Sequence, residues 1–247
     1  MARNSTLEKI LTDFRLEARL SPSPADNVHA RDGQIALIQS EQFRLWDDFN
    51  WPHLRVERFL PMQAGQRFYD PRVALSEDGT AAAQTISIDR IEKIDTKDSD
   101  VWLPLVNGIG AEHYASHDSA ETDRASPARR WRIYEGEQIE VWPVPEVDAG
   151  ADQEGYLRLT GVRDLRPLVN ESDRADLDDL LLALFSAATH LAGQGSEDAR
   201  VKGGKAEAHY NRLKARLSKS PGFSMFGVGR RALPRRPFVA HYKPPVG

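Results

Sequence analysis

Cysteine is missing from this 247-residue chain, so neither a disulfide frame nor a thiolate metal site is open to it. Long apolar runs are missing too. Nothing approaches the roughly 18 consecutive apolar residues of a membrane-spanning helix. With 40% hydrophobic and 28% charged residues, the composition is that of a globular protein whose stability comes from packing or from partners. The opening residues Met1 to Thr6 lead into an amphipathic helix without an apolar signal core, so synthesis in a cytoplasm is expected.

Catalytic signatures are equally scarce. There is no Gly-rich phosphate loop ending in Lys-Ser/Thr, no Gly-x-Ser-x-Gly elbow and no His-Glu-x-x-His. Gly227-Val228-Gly229 lacks the strand–turn–helix setting of a dinucleotide site. Glu112-His113 with His117-Asp118 would place two imidazoles on one helix face, but the pattern fixes no third ligand. His190, on an apolar helix, reads as a packed histidine and not as a base. The expectation is no enzyme, no metal and no cofactor.

Acid is absent from one stretch. Between Lys219 and Gly247 there is no Asp or Glu, while Lys219, Arg230, Arg231, Arg235, Arg236 and Lys243 carry +6. Subtracting that from the whole-chain −4 leaves −10 on the first 218 residues. The stretch also holds five prolines, four glycines and the aromatic residues Phe223, Phe226, Phe238 and Tyr242. Pro and Gly at that density forbid a long helix and favour extended backbone. So many large apolar groups are out of place in a free linker. An arm that orders on a partner reconciles the two, its aromatics filling pockets and its arginines meeting acidic groups.

Elsewhere the hydrophobic period assigns the elements. Ser5-Thr6-Leu7-Glu8 fits a capping box, and Leu7, Ile10, Leu11 and Phe14 follow as one helical stripe up to Ser21-Pro22-Ser23-Pro24. A second stripe, Ile35, Ile38, Gln42, Leu45, Trp46 and Phe49, stops before Pro52. From residue 53 the alternation is that of strands. They run from Leu54 to Leu60, through a turn at Gln63 to Gln66 to the return Arg67 to Tyr69, then Thr85 to Ile91, Val101 to Val106 and Tyr156 to Arg163. Residues 107–128 read as a long polar loop.

RWRIYEGEQIEVWPVP, residues 130–145, reads as a hairpin turning at Glu135-Gly136-Glu137. Its aromatics Trp131, Tyr134 and Trp142 either fill the sheet's core or form a docking surface. The helical period returns with Ser172 as N-cap and Asp173 and Asp176 in the first turn. Leu177, Leu180, Leu181, Leu184, Phe185, Ala188 and Leu191 then make a face broad enough to be buried on more than one side. Ser196 caps a last, polar helix. The predicted fold is α+β: a four-helix bundle (residues 1–52 and 164–218), an antiparallel β-sheet inserted between helices 2 and 3 (53–163) and an extended basic C-terminal arm (219–247).

Three segments carry a resemblance. They are Asp47-Asp48-Phe49-Asn50-Trp51-Pro52-His53-Leu54; Trp131 to Gly136 with Val141-Trp142-Pro143-Val144-Pro145; and Gly161-Val162-Arg163-Asp164-Leu165 running into Glu171-Ser172-Asp173 before a Leu-rich helix. Together they resemble the head–tail connector proteins of tailed bacteriophages, the adaptors or head-completion proteins beneath the portal ring. In element order the resemblance spans about residues 5–240, and it brings no catalytic residues with it.

It implies a homo-oligomeric ring at the head–tail junction of the virion, of twelve subunits in that family. The portal protein lies on one side and a tail, nozzle or tail-tube component on the other. Genomic DNA passes through the lumen during ejection without specific binding, for which an acidic body suits better than one lined with arginine. Phe223, Phe226, Arg230, Arg231, Arg235, Arg236, Phe238 and Tyr242 would dock on the portal. Leu181, Leu184, Phe185 and Ala188 would meet the neighbouring subunit, and Trp131, Tyr134 and Trp142 would face the tail or fill the sheet. The alternative is a nucleic-acid-binding protein that uses the basic arm, with an affinity that falls steeply with salt.

Overall fold

Helical and strand periods separate along residues 3–116 and 124–218, the part of the chain that the computed structural model describes. The helices are α1 (Leu7–Glu17), α2 (Arg31–Asp48), α3 (Ala111–Ser116), α4 (Asp179–Gly193) and α5 (Asp198–Leu217). The first two form where their apolar stripes lie, with Leu7, Ile10 and Phe14 of α1 and Ile38 and Leu45 of α2 fully buried. α4 packs against α1, α2 and α5, which explains why it is apolar nearly all round. These four helices share one core with Trp51, Leu54, Val162 and Leu168 from the segments that join them to the strands.

The strands form two four-stranded sheets. In the first, β1 (Arg55–Pro61), β8 (Tyr156–Arg163), β3 (Ile86–Asp98) and β4 (Val101–Pro104) lie in that order, all antiparallel. The second has the order β2 (Phe68–Tyr69), β7 (Gln138–Trp142), β6 (Arg130–Tyr134) and β5 (Val106–Asn107), with β5 parallel to β6. Ile94, Leu157 and Leu159 of the first sheet meet Tyr69, Trp131, Ile139 and Val141 of the second in a common core. Gly161 of β8 faces an irregularity in β3. A Cβ there would come within 2.5 Å of the Arg90 carbonyl oxygen, so only glycine fits without a shift.

This overturns the expected four-helix bundle with one inserted antiparallel sheet: the described residues form five α-helices and two sheets, one of them mixed. The reason is local at one point and distant at another. Leu105 donates its amide to Ile94 of the first sheet, whereas the next amide, of Val106, donates to Arg129, the residue before β6 of the second, both at 2.9 Å. The single strand expected over 101–106 is therefore two strands, in different sheets. The return strand at Arg67 to Tyr69 does not pair with β1, its sequence neighbour, but with β7. The loop expected over 107–128 contains α3.

Two helix starts also differ. The Ser5 hydroxyl donates to Asp179 at 2.9 Å and makes no capping box. The first amides of α1 donate instead to the carbonyls of Asp173 and Glu171. α4 begins at Asp179, not after Ser172, and its N-cap is Asp178, whose carboxylate accepts from the Leu181 amide at 3.1 Å. Residues 172–177 stay irregular because their acids serve other partners. Asp173 accepts the Val169 and Asn170 amides, and Asp176 is held by arginines.

Candidate docking surfaces

On the outer face of the second sheet, Glu140 of β7 is fully buried and central. Its carboxylate accepts from Arg132 Nε at 2.6 Å, from Arg67 Nε at 2.7 Å and from the Tyr114 hydroxyl at 2.8 Å. Burial pushes this carboxyl up, but the hydrogen bonds from Arg132, Tyr114 and Arg67 outweigh it and leave it below the usual carboxylate range. It is therefore a fixed charge at neutral pH, not a proton carrier. Through these bonds it ties α3 and the start of β2 to the hairpin.

Rings and guanidinium groups extend that lattice. Arg67 lies 4.7 Å from the Tyr114 ring and 5.2 Å from Phe68, and Arg132 lies 5.4 Å from Tyr134. Trp131 is buried in the core between the sheets. Trp142 is buried with Ile109 and Val144 beneath the edge of Tyr114. Only Tyr134 of the three hairpin aromatics is exposed, at 39%, where it leans on Phe68 with ring centres 4.7 Å apart. Beside it Ile133 is 47% exposed, so the hairpin's end presents an apolar patch.

The α4 candidates divide by burial. Leu181 and Leu184 are buried within the subunit itself, whereas Phe185 and Ala188 are partly exposed. The Phe185 ring meets Tyr210 edge-on and carries the Arg44 guanidinium at 4.6 Å. Leu180, a member of the same apolar face, is 44% exposed, an outward position that is not among the residues expected to meet a neighbouring subunit. Nothing in the hydrophobic pattern distinguishes it from Leu181.

The acids near α4 are structural. Asp176 accepts from Arg163 and from Arg166 Nε at 2.8 Å. Burial raises its carboxyl, and the hydrogen bonds from Arg163 and the Arg166 amide more than reverse the effect. Asp178 meets His209 at 2.8 Å, and Asp179 takes Ser5 and Lys9. His190 lies 3.0 Å from Gln194, its ring edge-on to Phe14.

In the Glu112-His113 stretch, His113 Nδ1 accepts from the Gly110 amide at 3.1 Å and lies 3.0 Å from Glu112. His117 and Asp118 lie outside the described residues. Among the described residues no three His, Asp or Glu side chains are gathered as metal ligands. The arm candidates Phe223, Phe226, Arg230, Arg231, Arg235, Arg236, Phe238 and Tyr242 also lie outside the described residues. No described helix is long and apolar enough to cross a membrane.

What remains is a set of exposed features: an apolar hairpin end, a partly exposed α4 face and a cleft of about 530 Å³ bordered by Arg129, Arg130 and Trp142. No curated protein matches the chain. A family model described as SU10 adaptor protein matches residues 5–235, a span that takes in both sheets and all five helices. The chain belongs to the SU10 adaptor protein family.

Proposed function

We propose that the protein is a non-enzymatic structural adaptor of a tailed-phage virion. It forms a ring of twelve subunits beneath the portal, joins the DNA-filled head to the tail and lets DNA pass on ejection. The observation that carries this reading is family membership over nearly the whole chain. The helical part, residues 1–52 and 164–218, supplies lateral contacts through the Phe185 and Ala188 side of α4, with Leu181 and Leu184 packed beneath. A ring needs such a face on both flanks of every subunit. The β part, residues 53–163, presents the Tyr134 end of its hairpin to a tail-side component, and the basic segment 219–247 engages the portal.

A net −10 on the first 218 residues supports the passage of DNA without adhesion, because a body of that sign repels phosphate. The test is genetic and biochemical. Phage made without this chain should accumulate DNA-filled heads that lack tails, and added purified protein should restore joining. Complete tailed particles in its absence would contradict the proposal.

A further inference from the structure

The far end of the first sheet collects negative charge. Asp98, Asp100, Glu146, Asp148, Asp152 and Glu154 lie where β3 turns into β4 and where the 146–155 connection returns to β8. The two connections are joined. Glu154 accepts the Ser99 amide at 2.8 Å, and the Gly155 amide donates to the Lys97 carbonyl at 3.2 Å. Asp148 in turn accepts the Ala64 amide at 2.8 Å.

Each of these bonds uses one carboxylate oxygen; among the described residues the second oxygen of Asp148 and of Glu154 makes none. Two cations stand near. Lys97 turns its ammonium onto the Asp152 carbonyl, and Arg124 lies against Gly65. The end therefore stays acidic.

A cavity of about 50 Å³ opens among these groups, bordered by Asp98, Asp148 and Glu154 against, among the described residues, the single cation Lys97 and walled by Met62, Pro145 and Val147. Thr96 also lines it, fully buried and with its hydroxyl unpartnered. Val147 is 60% exposed at its mouth. An apolar wall, an unused buried hydroxyl and a rim of carboxylates fit the stem and charged head of a lysine or arginine.

We propose that this acidic end receives the chain's own basic segment, residues 219–247, in the subunit before assembly. The complementarity is specific to that segment. It has no acid, and Arg230, Arg231, Arg235 and Arg236 fall within seven residues of one another. Its Phe238 and Tyr242 can use the apolar wall, and its prolines limit the entropy lost on seating.

Reach is sufficient. The described chain ends at Ser218, close to Lys214, which lies 3.4 Å from Asp48 at the end of α2. Arg90 of β3 touches the same helix end, and the acidic turn at Asp98 is eight residues farther along that strand, about 26 Å. Twenty-nine extended residues span up to about 95 Å. The proposal goes beyond the adaptor reading and does not depend on it; where both hold, the portal displaces the segment from this end.

The cysteine-free sequence allows a direct test in the full chain. A protein carrying Val147→Cys and Ala232→Cys is oxidised mildly, beside a control that pairs Ala232→Cys with Val201→Cys on α5. Seating predicts disulfide formation at least about tenfold faster than in the control at low salt, falling to the control rate in about 1 M salt. The same fall is expected when Asp98→Asn, Asp148→Asn and Glu154→Gln are added. Rates equal to the control, or indifferent to salt, overturn the proposal. The salt series uses unaltered acids, so it decides the matter even if the triple variant folds poorly.

Discussion

The Arg90 guanidinium lies 4.1 Å from the centre of the Trp46 ring and donates to the Trp46 carbonyl at 2.7 Å. A residue of β3 thus closes the C-terminus of α2, satisfying carbonyls that no helical amide reaches and placing a cation at the negative end of the helix. Trp46 in turn donates its indole N–H to the Arg163 carbonyl of β8 at 3.2 Å. Helices and first sheet are fastened here by polar contacts as well as packing.

Arg90→Ala should lower unfolding free energy by about 2–3 kcal/mol, from the lost ring contact and the orphaned carbonyls. Arg90→Lys should recover only part of that, because an ammonium lacks the fork that reaches two carbonyls. Urea unfolding of the three proteins measures the order. Equal stability of the lysine variant and wild type would show that charge alone suffices.

Glu140→Ala should destabilise by about 2–3 kcal/mol, less than a fully buried pair because Arg67 and Arg132 keep some water contact. It should also release α3, which Tyr114 ties to the sheet through this carboxylate. Hydrogen exchange would show Ala111–Ser116 opening first. Unchanged exchange there would mean that the Tyr114–Trp142 contact holds the helix alone.

Asp176 sets an acid limit. Its folded carboxyl is held below the ordinary value, so its contribution is full above the unfolded value near 3.9 and lost as pH falls through the lower folded one. Asp176→Asn should therefore cost about 3 kcal/mol at neutral pH. The gap to wild type should close below about pH 4. A gap that stays constant down to strong acid would show that the arginines do not depend on this charge.

On α4, Ala188→Arg should leave unfolding free energy within about 0.5 kcal/mol of wild type yet abolish subunit association. Leu184→Asp, at a position only 6% exposed, should instead weaken the isolated fold, because it buries a charge without a partner. Sedimentation beside denaturant titration separates the two effects. Normal association by Ala188→Arg would remove this side of α4 from the lateral contact.

The elements legible in the sequence are those whose signal is local. The 130–142 hairpin, β8 and the stripe of α2 follow from alternation or helical period within a few residues. Strand partners were not legible, because β2 joins β7 across some seventy residues and the 101–106 run changes sheets between Leu105 and Val106. The start of α4 is ambiguous in the sequence because Ser172 and Asp178 are both good caps. The distant Arg163 and Arg166 decide between them by holding Asp176 outside the helix. Alternation alone places Glu140 on the face opposite Ile139 and Val141. Its burial depends on Arg67 and Tyr114, which no spacing in the hairpin reveals.

Ring formation against a portal is tested by electron microscopy of purified protein mixed with purified portal rings. A closed ring of this chain on one face of the portal, coaxial with its channel, is expected. Folded subunits that remain free beside bare portals, at low and at physiological salt alike, would contradict it.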